Sequence, residues 1–168
     1  MIYNVLDVCR LIINYCAEKR HPISNIKLQK ILYYVQAAFL VEKKKICFEE
    51  KILNWTYGPV VEEAYREFRI YGGQNIPKQE EYNTISYNSI DSKIHFSKET
   101  FDESKFCEDD EKIIKKIVDL YIDKEPFYLV KKTHKEDPWL NTSQNEVISI
   151  ESIRKYYEEN LNLLYEKD

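Results

Sequence analysis

Glycine is almost missing from this chain. Its 168 residues include three, Gly58, Gly72 and Gly73, all in one short segment. A dinucleotide fingerprint or a Walker loop needs glycines spaced along a single turn, so nucleotide chemistry of those kinds is excluded. Histidine is equally scarce: His21, His95 and His134 are scattered, and none lies three or four residues from a cysteine. A zinc site needs three or four convergent ligands. His134 and Asp137, three apart, could supply two, and no metal or cofactor is expected. Four cysteines, Cys9, Cys16, Cys47 and Cys107, form no CxxC pair and read as reduced thiols of a cytoplasmic protein. There is no run of about 18 apolar residues, so no spanning helix and no membrane partner are expected. The apolar N-terminus lacks a basic leader region and is interrupted by Asp7 and Arg10, which argues against a signal peptide. A net charge of −4 argues against a dedicated nucleic-acid surface.

What is present is the composition of a folded soluble domain, 43% hydrophobic and 32% charged, with enough chain for one core. The fourteen tyrosines supply packing area with a polar tip, suited to cores and interfaces alike.

Periodicity predicts a mainly α fold. Asn4 caps a first helix that Pro22 terminates. Ser24 caps a second, "NIKLQKILYYVQAAFLVEKKK", apolar most of the way round and therefore central, with the closing lysines placed for the C-terminal dipole. "FEEKILNW" reads as a short strand or an irregular turn. Gly58-Pro59 then opens a helix with proline at its first position and Glu62 and Glu63 at its positive end. Val61, Ala64, Tyr65 and Phe68 face inward, and Gly72 or Gly73 stops the helix in a left-handed cap. Residues 74–108 lose helical periodicity and hold an irregular or small β excursion in which Ile94 and Phe96 alternate; its lone His95 reads as solvated or packed. Helices resume at "DDEKIIKKIVDLYIDK" and "PFYLVKKTH", and a last one spans "SIESIRKYYEENLNLLY". The expectation is a compact single-domain bundle, 1–168, of about six or seven helices.

The densest chemistry is "KKTHKEDPWLN", 131–141. Glu136 and Asp137 could form an acid/base pair, although adjacent carboxylates in a polar loop are more often solvated. A nucleophile beside an oriented base is not recognisable in the pattern. A structural reading accounts for Asp137-Pro138-Trp139 as a cap followed by proline at the first helical position, with Trp139 packing the turn down and His134 ending the preceding helix. It accounts less well for Thr133-His134.

Three stretches in this order, "KLQKILYYVQA" (27–37), "FEEKILNWTYGPVVEEAYREFRIYG" (48–72) and "THKEDPW" (133–139), resemble the SocA-like antitoxin (Panacea) domain family, which includes phage-associated GepA-like proteins. The matching residues are Leu28, Lys30, Ile31, Leu32, Tyr33 and Tyr34; Trp55, Tyr57, Gly58, Pro59, Val60, Tyr65, Phe68, Tyr71 and Gly72; and Thr133, His134, Pro138 and Trp139. Residues 74–108 match nothing in that pattern. The resemblance implies a non-enzymatic antitoxin that neutralises a neighbour-encoded protein toxin by direct binding. It also leaves room for an adaptor that delivers a toxin to a Clp-type protease, or a phage-associated interaction protein. A hydrolase using His134 is the least favoured reading. Trp55, Tyr57, Gly58, Pro59, Val60, His134, Asp137 and Trp139 are the candidate partner-binding residues, with Trp55, Tyr57, His134 and Trp139 expected to meet at one concave groove.

Overall fold

The computed structural model describes residues 1–166. The chain runs α1 (Val5–Glu18), α2 (Asn25–Glu42), β1 (Ile52–Trp55), β2 (Gly58–Val61), α3 (Glu62–Phe68), β3 (Glu81–Asn88), β4 (Lys93–Thr100), α4 (Glu108–Tyr121), α5 (Pro126–Thr133), α6 (Asp137–Leu140), α7 (Ile150–Glu159) and α8 (Leu161–Leu164). It is mainly α, with two small antiparallel two-stranded sheets, β1–β2 and β3–β4. No helix among the described residues is long and apolar enough to cross a membrane.

The all-round apolarity of α2 places it in the middle, against α1, α4, α5, α7 and β2. Fifteen of its eighteen residues are buried. Leu28, Ile31, Leu32, Val35 and Phe39 lose all or nearly all contact with water, each contributing about 1.5–3 kcal/mol by transfer. Its buried polar residues act as staples, each bonded to the main chain of a surrounding segment. The Gln36 side chain accepts from Cys47 N at 2.7 Å and donates to Phe48 O at 3.0 Å. Gln29 Oε1 accepts from Val61 N at 3.0 Å, Asn25 donates to Tyr65 O at 3.0 Å, Lys30 Nζ donates to Pro59 O at 2.8 Å, and Lys27 Nζ donates to Ile122 O. Such groups are costly to bury unpaired, so the irregular segments are held in fixed positions around the helix.

The first helix begins as its sequence predicts: the Asn4 side chain accepts from Leu6 N and Asp7 N. Elsewhere the local signals mislead. Ser24 stands at the cap of α2, yet its side chain makes no capping bond. Lys43, Lys44 and Lys45 lie beyond the last turn of α2 and pair instead with Asp109, Asp110 and Glu158. Gly58-Pro59 does not open a helix. Gly58–Val61 is strand β2, registered with Trp55 opposite Gly58 and Ile52 opposite Val61, and α3 starts only at Glu62. Proline is tolerated on an edge strand, and Pro59 turns its carbonyl to Lys30. Tyr65 on α3 is half-exposed rather than inward. Gly72 adopts φ 55°, but its ψ of −127° lies outside the left-handed helical region.

The excursion is a hairpin of two eight-residue strands, β3 and β4. Its outward face pairs Ile85 with Phe96 and Tyr87 with Ile94, all exposed. His95 is exposed and bonds Asp91 at 2.7 Å. The last helical stretch is broken at Asn160, whose φ of −133° and ψ of 48° end α7, and Leu161 is 48% exposed rather than inward.

Candidate binding site

The β1–β2 turn, the N-terminal end of α2 and the start of α5 enclose a cavity of about 580 Å³. Trp55, Tyr57, Val60, Tyr65 and Phe127 form its walls, and Ser24, Asn25, Ile26, Gln29 and Lys30 its α2 side. Trp55 meets Tyr65 edge-on at 5.0 Å between centroids, and Tyr57 meets Phe127 at 6.2 Å. Tyr57, 59% exposed, stands at the rim.

The turn is fixed from behind. A β-carbon at Gly58 would lie 2.7 Å from Thr133 Oγ1 and 2.8 Å from Lys30 Cε, so the glycine permits an approach that no other residue allows. Thr133 is buried and donates to Val130 O at 3.0 Å, which gives the Thr-His pair its role. The His134 ring stacks on Trp139 at 4.0 Å and 19°, and Trp139 Nε1 donates to Trp55 O at 3.2 Å. Asn54 adds bonds to Trp139 O at 2.7 Å and Thr142 O at 2.8 Å. Segment 145–148 runs beside β1, with Asn54 N donating to Glu146 O and Ile148 N to Ile52 O.

The expected candidates therefore divide. Trp55, Tyr57 and Val60 line the cavity. Gly58 and Pro59 form its backing, against Thr133 and Lys30. His134 and Trp139 buttress the turn, and Trp139 also borders a shallower depression with Asn54, Thr56 and Leu140. Asp137 lies apart, exposed beside Pro138, Tyr156 and Asn160.

Two features were absent from the expectation. Glu136, not Asp137, is the cap position of α6, and far from being solvated it is only 3% exposed. Its carboxyl accepts from Tyr34 at 3.0 Å and Tyr157 at 2.6 Å. Burial raises its pKa, opposed by the bonds from Tyr157 and Tyr34 and by the charge of Lys132. The second feature is the polar floor of the cavity. Lys30 is fully buried, and burial lowers its amine to about 7. Burial and the nearby Lys30 charge also lower the His134 imidazole, whose Nε2 has no hydrogen-bond partner among the described residues. Only Lys30 carried a signal, as a polar residue inside a helix otherwise apolar on every face.

In architecture this is a helical domain whose central helix is clasped by a β-hairpin that walls a concave aromatic site. Residues 28–140 match the family model described as antitoxin SocA-like, Panacea domain, and the chain belongs to that family. Over 69 residues it is 36% identical to Antitoxin SocA of Caulobacter vibrioides (strain NA1000 / CB15N), a match covering 41% of this chain and 37% of that protein. The chain thus aligns with little more than a third of that relative's length. No solved structure matches.

Proposed function

We propose that this protein is an antitoxin that neutralises a protein toxin by binding it directly, without turnover. Membership of an antitoxin family supports a toxin as partner. The observation that carries direct binding is the aromatic cavity, whose volume falls within the range of about 300–1,000 Å³ usual for ligand pockets. Aromatic anchors in a concave site are the residues that typically dominate binding energy. Trp55, Tyr57 and Val60 supply the contact surface, while His134 and Trp139 hold the turn that presents it. A catalytic role for His134 gains little support: its ring faces an indole, and Asp137 lies on a different surface.

The test is co-expression with the product of the adjacent reading frame, scoring growth and co-purification together. Restored growth with a stoichiometric complex is the expected result. Restored growth without any complex would overturn direct neutralisation in favour of delivery to a Clp-type protease. Neither toxicity nor binding would leave an interaction protein with another partner.

A further inference from the structure

We propose that the cavity captures the free C-terminus of a partner chain, with the carboxylate at the N-terminal end of α2 and the last side chain among Trp55, Tyr57 and Tyr65. This rests on the direct-binding reading above and names the chemistry the site would recognise. Three observations converge on it.

The first is an uncompensated helix end. α2 is eighteen residues long, has no acidic residue in its first turn, and its Ser24 makes no side-chain cap. Ser24 is buried, and its hydroxyl has no hydrogen-bond partner among the described residues. Ser24, Asn25 and Ile26 border the cavity. Free first-turn amides and the positive end of the helix dipole favour an anion there.

The second is a buried lysine amine. Lys30, just over one turn along the same helix, borders the cavity, and among the described residues its amine bonds the Pro59 carbonyl alone, at 2.8 Å. It makes no ion pair among the described residues. Among the described residues none that lines the cavity is acidic, although the protein carries a net charge of −4. A carboxylate would supply the missing partner for both the lysine and the hydroxyl.

The third is the juxtaposition of that floor with aromatic walls. A chain terminus carries a carboxylate and a side chain on one Cα, which suits a charged floor beside an apolar wall. An internal Asp or Glu would instead bring two flanking peptide groups against the apolar walls, where unpaired polar groups are costly. Backbone capture of a terminal carboxylate is a recurring mode of peptide recognition.

The experiment is calorimetric titration of the full chain with acetylated hexapeptides ending in Phe or Leu, each as the free acid and as the amide. The free acids are expected to bind roughly tenfold tighter or more, as a charge-assisted contact requires. Lys30→Met should collapse the difference between acid and amide, Ser24→Ala should reduce it, and Tyr57→Ala should weaken both forms alike. Equal binding of acid and amide by the unmodified protein overturns the proposal, as does no binding. N-acetylphenylalanine binding as tightly as the hexapeptides would also overturn it, assigning the site to small carboxylates. A parallel arm extends the C-terminus of the co-expressed toxin with a Gly-Ser tail. A complex lost on extension supports capture. One that persists overturns capture and leaves direct neutralisation standing, whereas no complex with the unextended toxin removes the underlying reading.

Discussion

Gly58 and Thr133, seventy-five positions apart, are in such close contact that a β-carbon on the glycine would sit 2.7 Å from the threonine Oγ1. Gly58 also has φ +99°, a conformation that strains any residue with a side chain. Strain and overlap together predict that Gly58→Ala destabilises the protein by about 2–4 kcal/mol. Urea unfolding followed by circular dichroism reads this directly. A midpoint indistinguishable from the parent would show that Thr133 and Lys30 yield easily and that the turn is not locked.

Glu136 gives a pH-dependent test. Its pKa is raised by burial, so between the unfolded value of about 4.3 and the higher folded one the native state holds more protons than the unfolded chain. Stability therefore falls as pH rises through that window. Glu136→Gln should flatten the fall, because the amide does not titrate, while its oxygen accepts from one tyrosine and its NH2 donates to the hydroxyl oxygen of the other. Glu136→Ala should cost about 2–5 kcal/mol, leaving the Tyr34 and Tyr157 hydroxyls without their acceptor. Thermal melts from pH 4 to 8 on both variants check the sign; an unchanged slope in Glu136→Gln would assign the titration elsewhere.

The fold class was legible because α1, α2, α4, α5 and α7 each carry a strong local signal: a capping Asn4, a helix apolar all round, an acidic opening turn, a proline at the start, a face of Ile153 and Tyr157. The site was legible only in part. Gly58-Pro59 carries a signal for a helix start that tertiary context overrides, since pairing with β1 and the Lys30 bond to Pro59 O outweigh a local preference. Adjacent carboxylates at 136 and 137 look equivalent in sequence, and only the tyrosine cluster makes one buried. Asn54 gave no pattern at all, because its partners lie about 85 residues downstream.

Lys30 titrates in the opposite sense to Glu136. Its folded value of about 7 lies below the unfolded value of about 10.4, so between them the unfolded chain binds the extra proton and stability rises with pH. Below the folded value, protonation brings no further change, and the burial penalty is fully present. Lys30→Met should remove the rise between pH 7 and 10 while losing the bond to Pro59 O. Parallel chemical denaturation at pH 6, 8 and 10 separates the two effects. A variant that keeps the parent slope would show that the amine is not the titrating group.

The hairpin β3–β4 separates root from tip. At the root, the Tyr82 ring lies 3.5 Å under the Arg10 guanidinium, joining the strand to α1. On the outward face, Ile85 and Phe96 are 69% and 76% exposed. Tyr82→Ala should therefore cost about 0.5–2 kcal/mol through the lost cation–π contact. Ile85→Thr with Phe96→Thr should change stability by no more than about 0.5 kcal/mol, since exposed side chains contribute little to folding. Both are read by urea unfolding. A large loss in the double variant would mean that the outward face packs against something in solution, and self-association measured by ultracentrifugation would then identify a second copy as its cover.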